Sequence, residues 1–309
     1  GIAGIIHKQG GKGANIGEQM TSMLQALKHR GPDSTGYAMY GEDNGNQIMR
    51  FKVAEAADLE GSYDIHAAIE DRLALIDSRL AELGVKVVKK ESPTEYAHRY
   101  EIEFSGDMKK VADFVEDIEG VEILSIGNSL ELIKVLGDAA VVSGQYGLNG
   151  FNGTHGIGHT RMATESAITT DGSHPYSTGE DECLVHNGSL SNHNNLRRKL
   201  KKDGINFNSE NDTEVAAGYI SSNLSNKKTL KETLKKGLND LDGFYTFITG
   251  TRKGFAVLRD EIACKPAVIA ETDDYVAIAS EFQAMAHLPN VNSAKIFEPE
   301  PGVVYSWGN

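Results

Sequence analysis

One stretch decides how this chain is interpreted: Leu184-Val-His-Asn-Gly-Ser-Leu-Ser-Asn-His-Asn-Asn-Leu196. It predicts an Asn-Gly turn between a short apolar strand and a helix. The side-chain amide of Asn187 and the backbone N–H of Gly188 can converge on one point, which makes this turn a candidate oxyanion site. The alternative is an ordinary β-turn that only links the strand to the helix. Asn192 is expected to cap the helix, which then ends at Gly204.

Composition limits the possible partners. The 309 residues suffice for one large domain or two smaller ones. The 31 Lys and Arg residues against 44 Asp and Glu give a net charge of −13, which argues against nucleic acid or an anionic membrane and favours a small substrate. No apolar run is long enough to span a bilayer, and residues 1–6 do not resemble a signal peptide. Two cysteines are too few for a disulfide framework, so we expect a cytoplasmic protein.

A metal site is not expected, although the chain has ten histidines. His155 and His159 are four residues apart, the spacing that would align two ligands on a helix. The four glycines between residues 150 and 158 argue against a helix there, and no acidic cluster lies nearby in the sequence.

The beginning of the chain predicts a strand that lies in the core. Residues 1–6 are almost entirely apolar, which is unusual because chain ends commonly fray. Apolar residues from Ile16 to Leu27 fall at helical spacing, and residues 29–36 end that helix. A second strand, Tyr37 to Tyr40, is expected to return beside the first. A buried start of the chain suggests that it has a function.

The middle of the chain, residues 51–147, has a different pattern. Apolar residues at helical spacing alternate with strand-like segments in the order α-β-β-α-β. This order predicts a small ferredoxin-like α+β module inserted into a main domain, which residues 1–50 and 148–309 form. The five segments are residues 65–83, 85–88, 96–104, 108–118 and 121–126.

Two further polar segments carry candidate binding residues. The first, Gly158-His-Thr-Arg-Met-Ala-Thr-Glu-Ser166, predicts a strand that ends in polar groups. Arg161 suits a carboxylate bound through two hydrogen bonds, with Thr164 as a neutral donor, although a surface salt bridge would explain the arginine equally well. In the second segment, residues 209–214, Asp212 is a candidate partner for an ammonium group. The alternative is a helix N-cap, and both roles can coexist.

Six short motifs, taken in this order and spacing, are typical of one enzyme family: Gly1-Ile-Ala-Gly4, His29-Arg-Gly-Pro-Asp-Ser34, His159-Thr-Arg-Met-Ala-Thr164, His174-Pro175, His186-Asn-Gly-Ser-Leu-Ser-Asn192 and Asn211-Asp-Thr-Glu214. Through them about two-thirds of the chain resembles the glutaminase domain of the class II glutamine amidotransferases, which are N-terminal-nucleophile (Ntn) hydrolases. The resemblance implies an α+β fold, a four-layer αββα sandwich that here carries the inserted ferredoxin-like module.

The resemblance also implies roles for the candidate residues. Arg161 and Thr164 would hold the α-carboxylate of L-glutamine. Asp212 and the carbonyl group of Gly188 would hold its α-ammonium group. Asn187 and the N–H of Gly188 would form the oxyanion hole.

The catalytic nucleophile of this family has no counterpart in the printed sequence. It is a Cys at the mature N-terminus, directly before the Gly that matches Gly1. Cys183 and Cys264 match no motif position, and each is expected to be a small core residue. We therefore hypothesise that a Cys precedes Gly1 in the natural protein and forms a γ-glutamyl thioester. Such a residue carries its own general base, because an α-amino group has a reference pKa of about 7.8.

An acceptor for the released ammonia is expected on another polypeptide, since the sequence contains no nucleotide motif, flavin fingerprint or second catalytic cluster. Stand-alone chains with a similar insertion resemble the glutaminase subunits of archaeal-type glutamate synthases and N-methylglutamate synthases. The resemblance implies a hetero-oligomer with a flavin-containing synthase subunit, with FMN and an iron-sulfur cluster on partner subunits, no cofactor on this chain, and the inserted module helping to dock the partner. The alternatives are an amidotransferase for another acceptor and an inactive glutamine-binding regulatory or scaffold subunit.

Overall fold

A computed structural model describes residues 1–8, 14–61, 64–162 and 172–308. Its strands are β1 (Ile2–His7), β2 (Ser34–Tyr40), β3 (Gln47–Lys52), β4 (Lys86–Glu91), β5 (Ala97–Glu103), β6 (Glu122–Gly127), β7 (Leu130–Leu136), β8 (His155–Arg161), β9 (Tyr176–Gly179), β10 (Glu182–Leu190), β11 (Gly243–Thr251), β12 (Gly254–Arg259), β13 (Val268–Glu271), β14 (Tyr275–Ala279), β15 (Lys295–Phe297) and β16 (Val304–Gly308). Its α-helices are α1 (Ile16–Ala26), α2 (Asp64–Glu82), α3 (Met108–Glu116), α4 (Ala139–Tyr146), α5 (His193–Lys202), α6 (Asp212–Ser225) and α7 (Leu230–Asp240). None of the helices in these ranges is long and apolar enough to cross a membrane.

Two antiparallel sheets pack face to face and form the centre of the molecule. The larger sheet has the order β15-β13-β14-β1-β8-β2-β7, and the smaller has the order β16-β12-β11-β10-β9. Between them lie apolar side chains from both sheets, among them Ile2 and Ile157 from the larger and Val185 and Ile248 from the smaller. Helices α1 and α4 cover the outer face of the larger sheet, and α5, α6 and α7 cover the smaller one. The predicted four-layer αββα sandwich is therefore confirmed.

The predicted buried strand at the start of the chain is also confirmed. Strand β1 lies between β14 and β8, near the middle of the larger sheet. It is buried on both faces, because Ile2 packs against the smaller sheet while Ala3 and Ile5 pack under the outer helices. A strand in this position needs apolar residues on both sides, which explains its continuous apolar sequence.

The inserted module forms a third sheet of four antiparallel strands, in the order β4-β5-β3-β6. Along the chain its elements follow as β-α-β-β-α-β, with α2 and α3 packed on one face of the sheet. This connection and strand order are those of a ferredoxin-like fold, as predicted. The strands of this sheet lie between residues 47 and 127, whereas the whole module was predicted to span residues 51–147. Strand β7, within the predicted module, instead pairs with β2 in the larger sheet.

Buried charges join the module to the larger sheet. Glu131 of β7 accepts hydrogen bonds from Arg50 and from Arg99, whose Nε lies 2.9 Å away, and Arg50 Nη2 approaches its Oε2 to 2.6 Å. Burial alone would raise the pKa of Glu131, but the charges and hydrogen bonds of the two arginines outweigh burial and lower it. These pairs are satisfied only when the module is docked, so they fix its position on the main domain.

Candidate active site

The start of the chain is held at one end of the larger sheet. The nitrogen of Gly1 donates a hydrogen bond to the carbonyl oxygen of Thr160 at 2.7 Å, and the N–H of Thr160 donates to the carbonyl of Gly1 at 2.8 Å. Thr160 is followed directly by Arg161, the last residue of β8. The pairing of β1 with β8 therefore brings Arg161 to the same end of the sheet as Gly1.

Ser280 connects the start of β1 to Asn187 on the other sheet. Its hydroxyl oxygen accepts hydrogen bonds from the N–H of Ile2 at 2.9 Å and from the side-chain amide of Asn187 at 3.0 Å. The amide group of Asn187 thus lies beside the first residues of the chain, although 185 positions separate Asn187 from Ile2. An amide nitrogen carries two N–H groups, so the bond to Ser280 leaves one for another acceptor.

Asn187 and Gly188 lie within strand β10 and not in a turn, which corrects the prediction. The pairing of β10 with β11 runs without interruption from Cys183 to Leu190. The turn propensity of Asn-Gly is overridden because each residue here has a partner on β11. Gly188 and the following residue are nevertheless exposed, so the strand leaves the core at this point.

The residues two positions before and two positions after Gly188 have N–H groups that point away from β11. On one side of it the N–H of His186 donates to His174 Nδ1, and on the other the N–H of Leu190 donates to Asp212, so both point away from β11. Alternate residues of a strand direct their N–H groups to the same edge, and Gly188 lies midway between these two. Gly188 therefore lies beside the edge of β10 that Asp212 and His174 approach, and its role as an oxyanion donor stays a prediction.

Replacing Gly188 by alanine is expected to destabilise the fold. Gly188 has a φ angle of +129°, and a Cβ atom there would lie 1.9 Å from the carbonyl oxygen of Phe244. We expect the free energy of unfolding to fall by about 2–3 kcal/mol, measured by chemical denaturation. The control is Gly144→Ala in α4, where a Cβ atom would have nothing within 4 Å and helix propensity predicts a gain. A Gly188→Ala variant as stable as the parent would show that the backbone of β11 can shift to accommodate the Cβ atom.

Gly172 contacts both Arg161 and the residue that precedes Asp212. A Cβ atom on Gly172 would lie 2.6 Å from Arg161 Nη1, so the guanidinium group rests against this part of the backbone. The carbonyl oxygen of Gly172 accepts a hydrogen bond from the side chain of Asn211, the residue before Asp212, at 3.3 Å. The other predicted carboxylate ligand, Thr164, lies outside the described residues.

Asp212 is the first residue of α6 but not its N-cap. Asn211 occupies the cap position, and its side-chain oxygen accepts the N–H of Thr213 at 2.9 Å. Asp212 Oδ2 instead accepts the N–H of Leu190 from β10 at 2.8 Å. Its side chain remains 21% exposed, so a ligand can reach it. The start of a helix favours the charged form of a carboxylate.

Asn192, which the sequence predicts as the cap of α5, precedes that helix but does not cap it with its side chain. Its amide group donates to the carbonyl of Asp240 at 2.9 Å and accepts the N–H of Asp242 at 3.1 Å. The side chain thus ties the end of β10 to the segment before β11.

Three buried histidines lie behind the site. The rings of His159 and His174 stack with their centres 4.1 Å apart, and the ring of His186 follows at 6.2 Å from His174. Burial lowers the pKa of His159 and His174 well below the usual value, and it lowers that of His186 to about 4 although Asp212 opposes the shift. All three rings are neutral at pH 7, so they act as hydrogen-bonding groups.

The two cysteines differ in their environment. Cys183 is buried between the sheets and its sulfur lies 3.1 Å from the hydroxyl of Tyr40. Burial raises the pKa of its thiol to about 12, so it is protonated and unreactive at neutral pH. Cys264 is exposed, which corrects its prediction as a core residue. Cys183 is therefore too well protonated to serve as a nucleophile.

An ion pair flanks Gly1. Arg30 Nη1 donates to Glu281 Oε1 at 2.6 Å, and the ring of His29 contacts the same carboxylate at 3.1 Å. The hydrogen bond from Arg30 is the main reason why the pKa of Glu281 is lowered. Both basic residues belong to the motif after α1, so this pair gives the motif a structural position beside the site.

Two large cavities lie away from the site. Two open cavities of about 760 and 660 Å³ lie at the opposite end of the sandwich, where Arg252, Lys253 and Trp307 line both. Neither contains Asn187 or Asp212 in its wall. Within the described ranges, no group of three or more His, Cys, Asp or Glu side chains is placed to hold a metal ion.

Sequence reasoning missed two residues that organise the site. The hydroxyl of Ser280 accepts a hydrogen bond from the side chain of Asn187, and the hydroxyl of Thr213 contacts both His174 and His186. Thr213 lies inside the motif Asn211-Asp-Thr-Glu214, so the motif itself could have identified it as a candidate site residue. Ser280 follows a buried strand in a segment without any motif, and only the folded chain shows its partners.

Comparison with known proteins finds glutamine amidotransferases among the relatives of this chain. Residues 159–287 match the family model of the glutamine amidotransferase domain. The glutamine amidotransferase-like protein GlxB of Rhizobium meliloti is 44% identical over 99% of this chain and 97% of its own length. A putative glutamine amidotransferase of Methanothermobacter thermautotrophicus is 31% identical, with 99% of both chains covered.

Two solved structures share the fold. One is the allosteric regulatory enzyme of purine biosynthesis, with a TM-score of 0.61 and 21% identity. The other is the glutamine phosphoribosylpyrophosphate amidotransferase from B. subtilis, with a TM-score of 0.59 and 20% identity. Each alignment covers 100% of this chain and 47% of the other, so this chain spans about half the length of those structures. Together with the full-length relatives, these matches show that the chain belongs to the glutamine amidotransferase family and has the Ntn-hydrolase fold of its class II members.

Proposed function

We propose that this chain is a glutaminase subunit, which hydrolyses L-glutamine to glutamate and ammonia through a γ-glutamyl thioester. One observation carries the proposal, the meeting of three elements: Asn187 is linked through Ser280 to the start of β1, Asp212 accepts the N–H of Leu190 close to Gly188 on β10, and Arg161 ends the strand that holds Gly1. Amide donors for an oxyanion, a guanidinium group and a carboxylate are the groups that the side-chain amide, α-carboxylate and α-ammonium of glutamine require.

The nucleophile in this proposal is a Cys that precedes Gly1 in the natural protein. Burial, and next the charge of Arg30, lower the pKa of the Gly1 amino group to about 5, so the position suits a neutral peptide nitrogen. That nitrogen would keep its hydrogen bond to Thr160. Arg30 Nε is buried and has no partner among the described residues, so it would offer a donor to a residue before Gly1.

The reaction then proceeds in two steps. The α-amino group of the Cys accepts the thiol proton, and the thiolate attacks the side-chain carbonyl carbon of glutamine. Asn187 Nδ2 and the N–H of Gly188 stabilise the negative oxygen that forms. The C–N bond breaks, the protonated amino group returns its proton to the nitrogen, and ammonia leaves. Water adds to the thioester by the same route and releases glutamate and the thiol.

Substrate orientation is assigned to the charged residues. Arg161 and Thr164 hold the α-carboxylate of glutamine, while Asp212 and the carbonyl of Gly188 hold its α-ammonium. Both groups lie far from the bond that breaks, so they bind substrate and transition state alike and act mainly on KM.

The first test is the intact mass of the natural gene product before and after treatment with 6-diazo-5-oxo-L-norleucine, an electrophilic glutamine analogue. We expect a mass one Cys residue above the printed chain and a single adduct. A protein that begins at Gly1, takes no adduct and still binds glutamine would support the alternative of an inactive sensing or scaffold subunit.

For the nitrogen acceptor we propose a flavin-containing synthase subunit of the glutamate synthase type in the cytoplasm, with FMN and an iron-sulfur cluster on partner chains. The support is the resemblance of the inserted chain to stand-alone glutaminase subunits, together with full-length relatives of nearly the same size. Co-purification of a flavoprotein that forms glutamate from 2-oxoglutarate and glutamine is the expected result. A purified complex that aminates only a different acceptor would replace this assignment by another amidotransferase.

We expect the inserted module to contribute to docking that partner. Leu75 on α2 and Val88 on β4 are its exposed large apolar residues within the described ranges, at 43% and 45% exposure. Changing each to Glu should weaken the complex by tenfold or more without loss of glutaminase activity, because a charge at an interface core must be desolvated. The control is Val141→Glu on α4 of the main domain, which is 60% exposed. Unchanged affinity in both module variants would remove the module from the interface.

A further inference from the structure

Thr213, the second residue of α6, is fully buried behind the Asp212 carboxylate. Its hydroxyl oxygen lies within hydrogen-bonding distance of three groups: His186 Nδ1 at 2.9 Å, His174 Nε2 at 3.2 Å and Asp212 Oδ1 at 3.4 Å. One oxygen atom thus connects two buried imidazole rings to Asp212, the residue proposed to hold the α-ammonium group.

The backbone determines the direction of these bonds. The N–H of His186 donates to His174 Nδ1 at 3.3 Å, so that nitrogen carries no proton. Burial lowers the pKa of His174 and keeps its ring neutral, which places its one proton on Nε2, facing Thr213. Thr213 therefore accepts a hydrogen bond from His174 and keeps its own proton for another group.

Two acceptors compete for the proton of Thr213: His186 Nδ1 and Asp212 Oδ1. Donation to His186 would put that ring's proton on Nε2, which is buried and has no partner among the described residues. A buried Nε2–H group without an acceptor would cost free energy. Donation to Asp212 lets His186 Nδ1–H donate to Thr213, and a bond to an ionised carboxylate is the stronger of the two. The second arrangement is the favoured one.

We propose that Thr213 is a positioning residue for glutamine binding: its hydroxyl, held by His174 and His186, directs Asp212 Oδ1 toward the α-ammonium group. Asp212 Oδ2 is already fixed by the N–H of Leu190 at 2.8 Å, so Thr213 holds the second oxygen and stops the carboxylate from rotating. A carboxylate that is fixed before binding loses less entropy when the ligand arrives. The inference rests on the proposed function and extends it to a residue that does not touch the substrate.

The test compares two ligands that differ only in the group that Asp212 holds. L-Glutamine has the α-ammonium, and glutaramic acid, the monoamide of glutaric acid, lacks it. Calorimetric Kd values need no turnover, and kcat/KM values supplement them. Thr213→Val keeps the shape of the side chain and removes its hydroxyl. It should raise the Kd for glutamine about tenfold and the Kd for glutaramic acid less than twofold. Thr213→Ser keeps the hydroxyl and should restore glutamine binding to within about threefold.

A double variant separates positioning from folding. In an Asp212→Asn background, Thr213→Val should add little to the loss, because its effect acts through the carboxylate. Equal weakening of both ligands by Thr213→Val would assign Thr213 a merely structural role and overturn the inference, as would unchanged glutamine binding. If the valine variant does not fold, Thr213→Ala takes its place. A parent protein that binds neither ligand would refute the proposed function itself, and the inference with it.

Discussion

Replacing Asn187 by alanine should lower kcat for glutamine hydrolysis by about a hundredfold or more, which corresponds to about 2.7–4 kcal/mol of lost transition-state stabilisation. The amide is attached to Ser280, which also holds the N–H of Ile2, so its position relative to the start of the chain is fixed before substrate binds. A preorganised donor interacts most strongly with the charge that develops on the oxygen during attack. The loss should therefore appear in kcat, and KM should change little.

Two variants separate the donor from its support. Asn187→Asp has the same shape but offers an acceptor where the oxyanion needs a donor, so its loss should match or exceed that of alanine. Ser280→Ala keeps the amide and removes only its anchor, and about a tenfold loss of kcat is expected. Single-turnover measurements with the full-length protein would isolate the acylation step. Unchanged turnover in Asn187→Ala would exclude Asn187 from the oxyanion hole.

The overall architecture could be predicted where local pattern and tertiary position agree. Strand β1 is apolar throughout because both of its faces are buried, and α1 shows helical spacing because one face packs on the sheet. Strands β3 and β7 were missed for a common reason. Each carries buried charges, Arg50 on β3 and Glu131 on β7, which stabilise one another across the module boundary. When a charged residue is buried only because it pairs with a residue far away in the sequence, the local sequence pattern predicts that it is exposed.

The candidate site shows the same division. Arg161 and Asp212 were proposed from motifs, because the chemistry of a ligand restricts residue type at fixed spacing, and their roles stay predictions. The secondary structure of the site was harder to predict. The sequence Asn187-Gly188 predicts a turn, and only the pairing of these residues with β11 makes them part of a strand. Ser280 could not be found at all, since a serine after a strand is common and its two partners come from other elements.

Replacing Asp212 by asparagine should raise KM for glutamine by about 30-fold to 1000-fold with little change in kcat, because removing one member of a partly buried charge pair costs about 2–4 kcal/mol. The substitution preserves shape, and the asparagine oxygen can still accept the N–H of Leu190, so the start of α6 should stay in place. What is lost is the negative charge opposite the α-ammonium. Because that contact exists in substrate and transition state alike, the loss falls on binding.

The control is Glu210→Gln, two residues away. It removes the same charge from a side chain that is 92% exposed and that faces Arg197 Nη2 at 3.9 Å, an ion pair that solvent screens. We expect KM to stay within about twofold in that variant, at both low and high salt. For glutaramic acid, which has no ammonium to attract, Asp212→Asn should bind as well as the parent or better, since an unpaired carboxylate no longer has to be desolvated. If glutamine keeps its KM in Asp212→Asn, the ammonium must bind elsewhere, and the pair of Arg161 and Asp212 would no longer define the orientation of the substrate.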